Sequence, residues 1–120
     1  MPALNFKTRF AEAVEWGAKV ETIRARRKRP IKVGDRLYLY TGQRTKSCRK
    51  LGEGRCHTIK SVCIWPDSIV IEGVKIPWGW HADCFARRDG FEDWPEMRDW
   101  FVGERGLPFR GVLIKWRKES

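Results

Sequence analysis

The feature that most limits what this chain can fold into is a change of hydrophobic period at Gly17. Phe6, Phe10, Ala13, Val14 and Gly17 fall at three- and four-residue steps. That repeat lines one buried helix face and predicts a helix over Thr8 to Trp16. Gly17, free to adopt left-handed backbone, is placed to stop it. From Val20 to Ala25 the period drops to two. Thr22, Arg24 and Arg26 then share one face of an extended segment, with Ile23 and Ala25 on the other. A helix thus hands over to a strand within the first quarter of the chain.

Further along, Pro30 ends the extended segment, and Lys32-Val33-Gly34-Asp35 predicts a turn before a strand at Arg36–Tyr40. Thr41 to Gly54, rich in glycine and basic residues, predicts a long mobile loop. Cys56–Trp65, Ser68–Glu72 and Val74–Ile76 predict strands, with turns at Trp65-Pro66-Asp67 and Gly73. Asp93-Trp94-Pro95-Glu96 has capping-box spacing and predicts a helix to about Val102, buried through Trp94, Met97, Trp100 and Phe101. Arg110–Trp116 closes as an apolar strand. The expected class is α+β: a mostly antiparallel sheet or small barrel with two helices at its ends. At 120 residues, 42% apolar and with seven Trp, the chain suits one domain with a core that needs no disulfides.

No stretch approaches the ~18 apolar residues of a membrane helix. The N-terminus lacks the basic-then-apolar order of a signal peptide, so a cytoplasmic location and no membrane partner are expected. The four cysteines, Cys48, Cys56, Cys63 and Cys84, are then expected to be reduced. Cys56-His57 and His81-x-x-Cys84 match no strong zinc spacing, and no metal or other cofactor is expected. Cys63, inside Val62-Cys63-Ile64-Trp65, reads as a small core residue.

Charge placement says more than the net +10. Residues 19–60 hold 14 Lys and Arg against Glu21, Asp35 and Glu53, whereas the segments on either side are near neutral. Such concentration points to a polyanion, most simply nucleic acid. Two runs carry it: Arg26, Arg27, Lys28 and Arg29, and then Arg44, Lys46, Arg49 and Lys50. Interspersed Ser and Thr add hydroxyl donors suited to phosphate; a merely solvated basic surface is the alternative.

Three further groups are candidates for chemistry. Lys19 precedes a strand face that presents Thr22 and Arg24. A lysine brought toward neutral pKa by burial and a neighbouring cation can take the hydroxyl proton and make Thr22 a nucleophile. The same residues also suit an ordinary strand face. Asp89 in Arg88-Asp89-Gly90-Phe91 is an acid able to point into a cleft, or a turn aspartate bonding its own backbone. Trp78-Gly79-Trp80-His81 offers indoles for stacking on an unpaired base, with His81 as a hydrogen-bonding group, or fills the core.

Taken in order, Gly17-x-Lys19-x-x-Thr22-x-Arg24, Lys32-Val33-Gly34-Asp35 before a strand, Asp89-Gly90-Phe91 before a helix, and Gly111-x-x-Ile114-x-Trp116 resemble the ASCH domain, a relative of PUA domains. The resemblance spans nearly the whole chain. It implies a single domain over residues 1–120 with a PUA-like fold, a small mixed β-barrel flanked by helices, and a cleft formed by the first helix–strand turn and the Asp-Gly-Phe segment. It also implies association with RNA and modified nucleobases. One ASCH branch comprises amidohydrolases that remove the acetyl group of N4-acetylcytidine with a lysine, a threonine nucleophile and a glutamate. Lys19 and Thr22 match the first two, and the acid's place falls near Asp89, a shorter carboxylate. The expected function is binding of RNA or another single strand through a base or phosphate pocket beside a basic surface. Hydrolysis of an N-acylated cytidine is the alternative, and a ribonuclease a more distant one.

Overall fold

The computed structural model describes residues 2–77 and 79–119. Its chain sorts into two compact units, one of Met1–Glu21, Arg27–Ile59 and Ile114–Ser120, the other of Thr22–Arg26 and Lys60–Leu113.

In the first unit, β1 (Ala3–Phe6) leads into α1 (Thr8–Trp16), which buries Phe10, Ala11 and Val14. Gly17 ends α1 in the left-handed region at φ 84°, its amide donating to the Val14 carbonyl. The helix is the crossover that a parallel strand pair requires, because β1 runs parallel to β3 (Arg36–Thr41) with Leu4 opposite Leu39. β1 has no counterpart in the sequence reading. Its four residues carry no turn signal, and its strand character comes from the ladder with β3.

Half of the mobile loop expected at 41–54 is strand. β4 runs from Arg49 to Trp65, and its first half pairs antiparallel with β3. Leu39 faces Gly52 while Tyr40 faces Lys50, so the register slips by one residue at Leu51. Such a bulge accommodates an extra residue, here one whose side chain is buried. The connecting segment is tied by its own side chains: Thr45 Oγ1 donates to the Gly42 carbonyl at 2.6 Å and accepts from the Ser47 amide at 3.1 Å.

In the second unit, Val62–Trp65 of β4 pairs antiparallel with β5 (Ser68–Ile71), and β5 pairs with β6 (Val74–Pro77). Glu72 and Gly73 both have positive φ, 50° and 80°, as a tight hairpin turn matched to strand twist demands. A helix not foreseen, α2 (Trp80–Arg88), follows and buries Ala82, Phe85 and Ala86. Those positions are spaced three and four apart, but the apolar stripe holds only two alanines and one ring beside charged neighbours.

Helix α3 (Trp94–Glu104) begins as predicted. Asp93 is its N-cap and accepts from the Glu96 amide at 2.9 Å. Glu96 Oε1 accepts from the Glu92 amide at 3.2 Å, one residue before the usual return bond. The helix passes through Gly103 instead of stopping there. Asp93→Ala is expected to cost about 1 kcal/mol of stability, measured by urea denaturation.

The remaining strands are β2 (Glu21–Arg24) and β7 (Phe109–Lys118). Pairing follows the path β1-β3-β4-β5-β6, with β7 against β4 and β2 against β7. The expected barrel is therefore corrected to an open mixed sheet with three helices. Closure needs end strands long enough to tilt and pair with each other. Here the ends of the path, β1 and β6, have four residues each.

Candidate functional site

Thr22 and Arg24 lie two apart on β2, so their side chains leave the same face. Arg24 Nε donates to Thr22 Oγ1 at 3.1 Å. The hydroxyl oxygen is thus engaged by a cation while its hydrogen is left to bond elsewhere. Thr22 is only 5% exposed, so the bond acts in a medium that strengthens it. An alkoxide forming at that oxygen would be stabilised by the guanidinium.

Lys19, in the first unit, is buried to 3% exposure. Its amide donates to the Ala13 carbonyl at 2.9 Å, which ties it to the end of α1. Its Nζ lies 5.1 Å from the centre of the Phe10 ring, and the Arg9 guanidinium lies 4.9 Å from the same ring. A buried ammonium over an aromatic face gains a cation–π contact that partly offsets lost hydration.

Asp89 is the C-cap of α2 and is 5% exposed. The Asp-Gly-Phe segment closes that helix rather than only preceding the next one. The Gly90 amide donates to the Arg87 carbonyl at 3.1 Å and the Phe91 amide to the Ala86 carbonyl at 2.9 Å. With Gly90 at φ 100°, this is the Schellman arrangement, sealed by Phe91 and Ala86, both buried. It holds a carboxylate at the negative end of a helix, where the dipole opposes its charge.

Patterning passes over Glu21, which is 4% exposed. A signal is present in the sequence: on a period-two strand Glu21 shares a face with Ile23, and a carboxylate on an apolar face asks for a reason. Glu21 belongs to the first unit with Lys19, whereas Thr22, Arg24 and Asp89 belong to the second.

Trp80, in the first turn of α2, is 69% exposed, and His81 packs edge-on against it with ring centres 5.0 Å apart. Trp78 lies outside the described residues. Trp16, at the end of α1, is also open to solvent. Of the basic runs, Arg26, Arg27, Lys28, Arg29, Arg44, Lys46, Arg49 and Lys50 are all exposed. Some of these engage protein groups. Arg27 donates to the Ala3 carbonyl at 3.3 Å, Arg49 pairs with Glu15 at 2.6 Å, and Lys50 pairs with Glu53 at 2.6 Å. The Glu53 carboxylate is held below its ordinary pKa by the hydrogen bond from Lys50, and the Lys50 ammonium above its own by the same bond. Arg26 lines a cleft of the second unit.

Among the described residues no three His, Cys, Asp or Glu side chains gather as a metal site. Cys56 is the buried thiol, pushed up in pKa by burial, while Cys63 is half-buried and not a core residue as expected. Its strand alternates between Val62 and Ile64, both buried, which turns the intervening thiol to the other face. No helix among the described residues is long and apolar enough to cross a membrane.

No protein-family model matches the sequence, and no curated protein matches it. Among solved structures, the chain is similar to a serine-to-alanine mutant of ZmASCH from Zymomonas mobilis, at 19% identity and a TM-score of 0.54. The match covers 96% of this chain and 66% of that one, so this chain spans just under two thirds of its length. The open sheet, the three helices and the Gly17 and Asp89-Gly90-Phe91 terminators therefore compose an ASCH-like α+β fold.

Proposed function

We propose that this chain is a cytoplasmic nucleic-acid-binding module that takes RNA or another single strand. The observation that carries the reading is the charge excess of residues 19–60, borne by exposed side chains. Among the described residues Arg26, Lys28, Arg29, Arg44 and Lys46 carry no hydrogen bond or ion pair. The pairs of Arg49 and Lys50 are surface ones, worth about 1 kcal/mol or less each, so phosphates can displace them. Thr22, Arg24 and Asp89 of the second unit would contact a base or phosphate, and so would Lys19 of the first, with Trp78 and Trp80 as stacking groups and His81 as a hydrogen-bonding group.

About five phosphate contacts on a single strand give a salt slope of about −3.5 in log–log terms. Affinity for an unstructured oligoribonucleotide is then expected to fall about 100-fold between 50 and 200 mM salt. Fluorescence anisotropy across that range is the measurement. Salt-independent binding, or no binding to RNA or single-stranded DNA, removes the reading.

A second reading is favoured by one observation, the cation-bonded and buried hydroxyl of Thr22. In it Lys19 is the base, Thr22 the nucleophile toward an acyl carbon, and Asp89 the acid, with an N4-acylated cytidine as substrate. Release of cytidine from N4-acetylcytidine is the assay. Thr22→Ala is expected to lower the rate by about 10³-fold or more, as loss of a nucleophile does. Equal inertness of wild type and variant removes it.

A further inference from the structure

The second unit holds a cleft of about 220 Å³ lined by Arg26, Ser61, Val62, Cys63, Gly73, Arg110 and Gly111, with Val70 as apolar wall. Lys19, Thr22, Arg24 and Asp89 do not line it. The geometry points to this cleft as a phosphodiester-binding subsite that holds one phosphate and its ribose through Arg26 and Arg110. The inference rests on the nucleic-acid-binding reading and deepens it.

Two guanidiniums border one small cleft, and among the described residues neither is bonded to a carboxylate. An anion lying between them attracts both and offsets their mutual repulsion. The carboxylate beside the cleft, Glu72, is already engaged, its Oε1 accepting from the Ser61 amide at 2.7 Å. Arg110 is preorganised: its guanidinium carbon sits 5.5 Å from the centre of the Trp65 ring. Stacking on an aromatic face fixes the plane of the fork and leaves its edge for bidentate bonding. The two non-bridging oxygens of a phosphodiester share its charge, so each can accept from one of the two forks. Gly73 and Gly111 bring bare backbone to the walls, and Val70, opposite Cys63 on the neighbouring strand, suits a sugar.

The test uses the full chain, an unstructured oligoribonucleotide and uridine 5′-monophosphate. Arg26→Glu and Arg110→Glu each reverse one exposed charge of the cleft. Arg105→Glu reverses an exposed charge at the end of α3, in the same unit and outside the cleft lining. Oligonucleotide affinity is expected to drop about 10-fold or more in both cleft variants and about 2-fold in Arg105→Glu, which reports the general field alone. In wild type, uridine 5′-monophosphate is expected to shift the amide resonances of Gly73 and Gly111, and not in Arg110→Glu. If the strand binds wild type and the three variants weaken it equally, the subsite is overturned and the binding reading stands. If wild type binds no strand but the nucleotide still shifts the cleft amides, the binding reading falls and the site is one for free nucleotides. If neither binds, both are overturned.

Discussion

Alanine at Gly111 is expected to cost about 3 kcal/mol of stability, at the upper end of what overpacking produces. A Cβ built there collides with the Arg24 carbonyl oxygen, meets its carbon at 3.0 Å and stands 2.9 Å from a ring carbon of Phe109. Neither neighbour can yield easily. The first is the backbone of β2, and the second is a buried ring packed 5.1 Å from that of Phe101. Gly111 has no left-handed backbone to protect, so the whole effect is close approach of chains. Gly103 makes the opposite case. It sits inside α3, and a Cβ there would meet nothing within 4 Å. Gly103→Ala is therefore expected to raise stability by about 0.5–1 kcal/mol, the helix-propensity difference. Urea denaturation of both variants checks the pair, and a Gly111→Ala protein as stable as wild type would refute the close approach of β2 and β7.

The second large effect is at Trp116. The ring is 1% exposed and lies 5.8 Å from that of Phe6. Its truncation to alanine is expected to cost about 3–5 kcal/mol, as for other buried aromatics. Trp116→Phe is expected to cost far less than the lost area suggests. The indole Nε1 is buried with no hydrogen-bond partner among the described residues, and an unmet buried donor costs about 1–3 kcal/mol that phenylalanine does not incur. Gly54 supplies the space for the indole, since a Cβ there would stand 2.6 Å from Trp116 Cδ1. Gly54→Ala should destabilise the wild type by about 1–3 kcal/mol and much less in a Trp116→Ala background. That coupling, read from a double-mutant cycle, separates a steric fit from a general loss of strand stability.

The need for glycine at Gly54 in β4 and Gly111 in β7 is not read from patterning, because Trp116 and the Arg24 carbonyl that they make room for lie far away in sequence. Gly17, by contrast, is legible, since the carbonyl it caps is three residues back. The same holds for Asp93 and Glu96, whose bonds close within four residues. Lys19, Thr22, Arg24 and Asp89 are picked out in the sequence by their type and order. Their burial is not, because a period-two pattern assigns a face and says nothing of what covers it. Glu21 shows the converse: its face is readable, but its burial gives that face a meaning only in the folded chain.

Local chemistry thus determined α1 and its glycine stop, the start of α3, the two tight turns around β5, and the concentration of positive charge in one third of the chain. The structural elements among these depend on bonds or backbone angles within about one helical turn. Tertiary structure alone decided the strand character of β1 and of the first half of β4, the openness of the sheet, and the gathering of Arg26, Ser61 and Arg110 around one cleft. A four-residue strand has too few contacts of its own to order itself; only a partner across the ladder offsets the entropy of extending it.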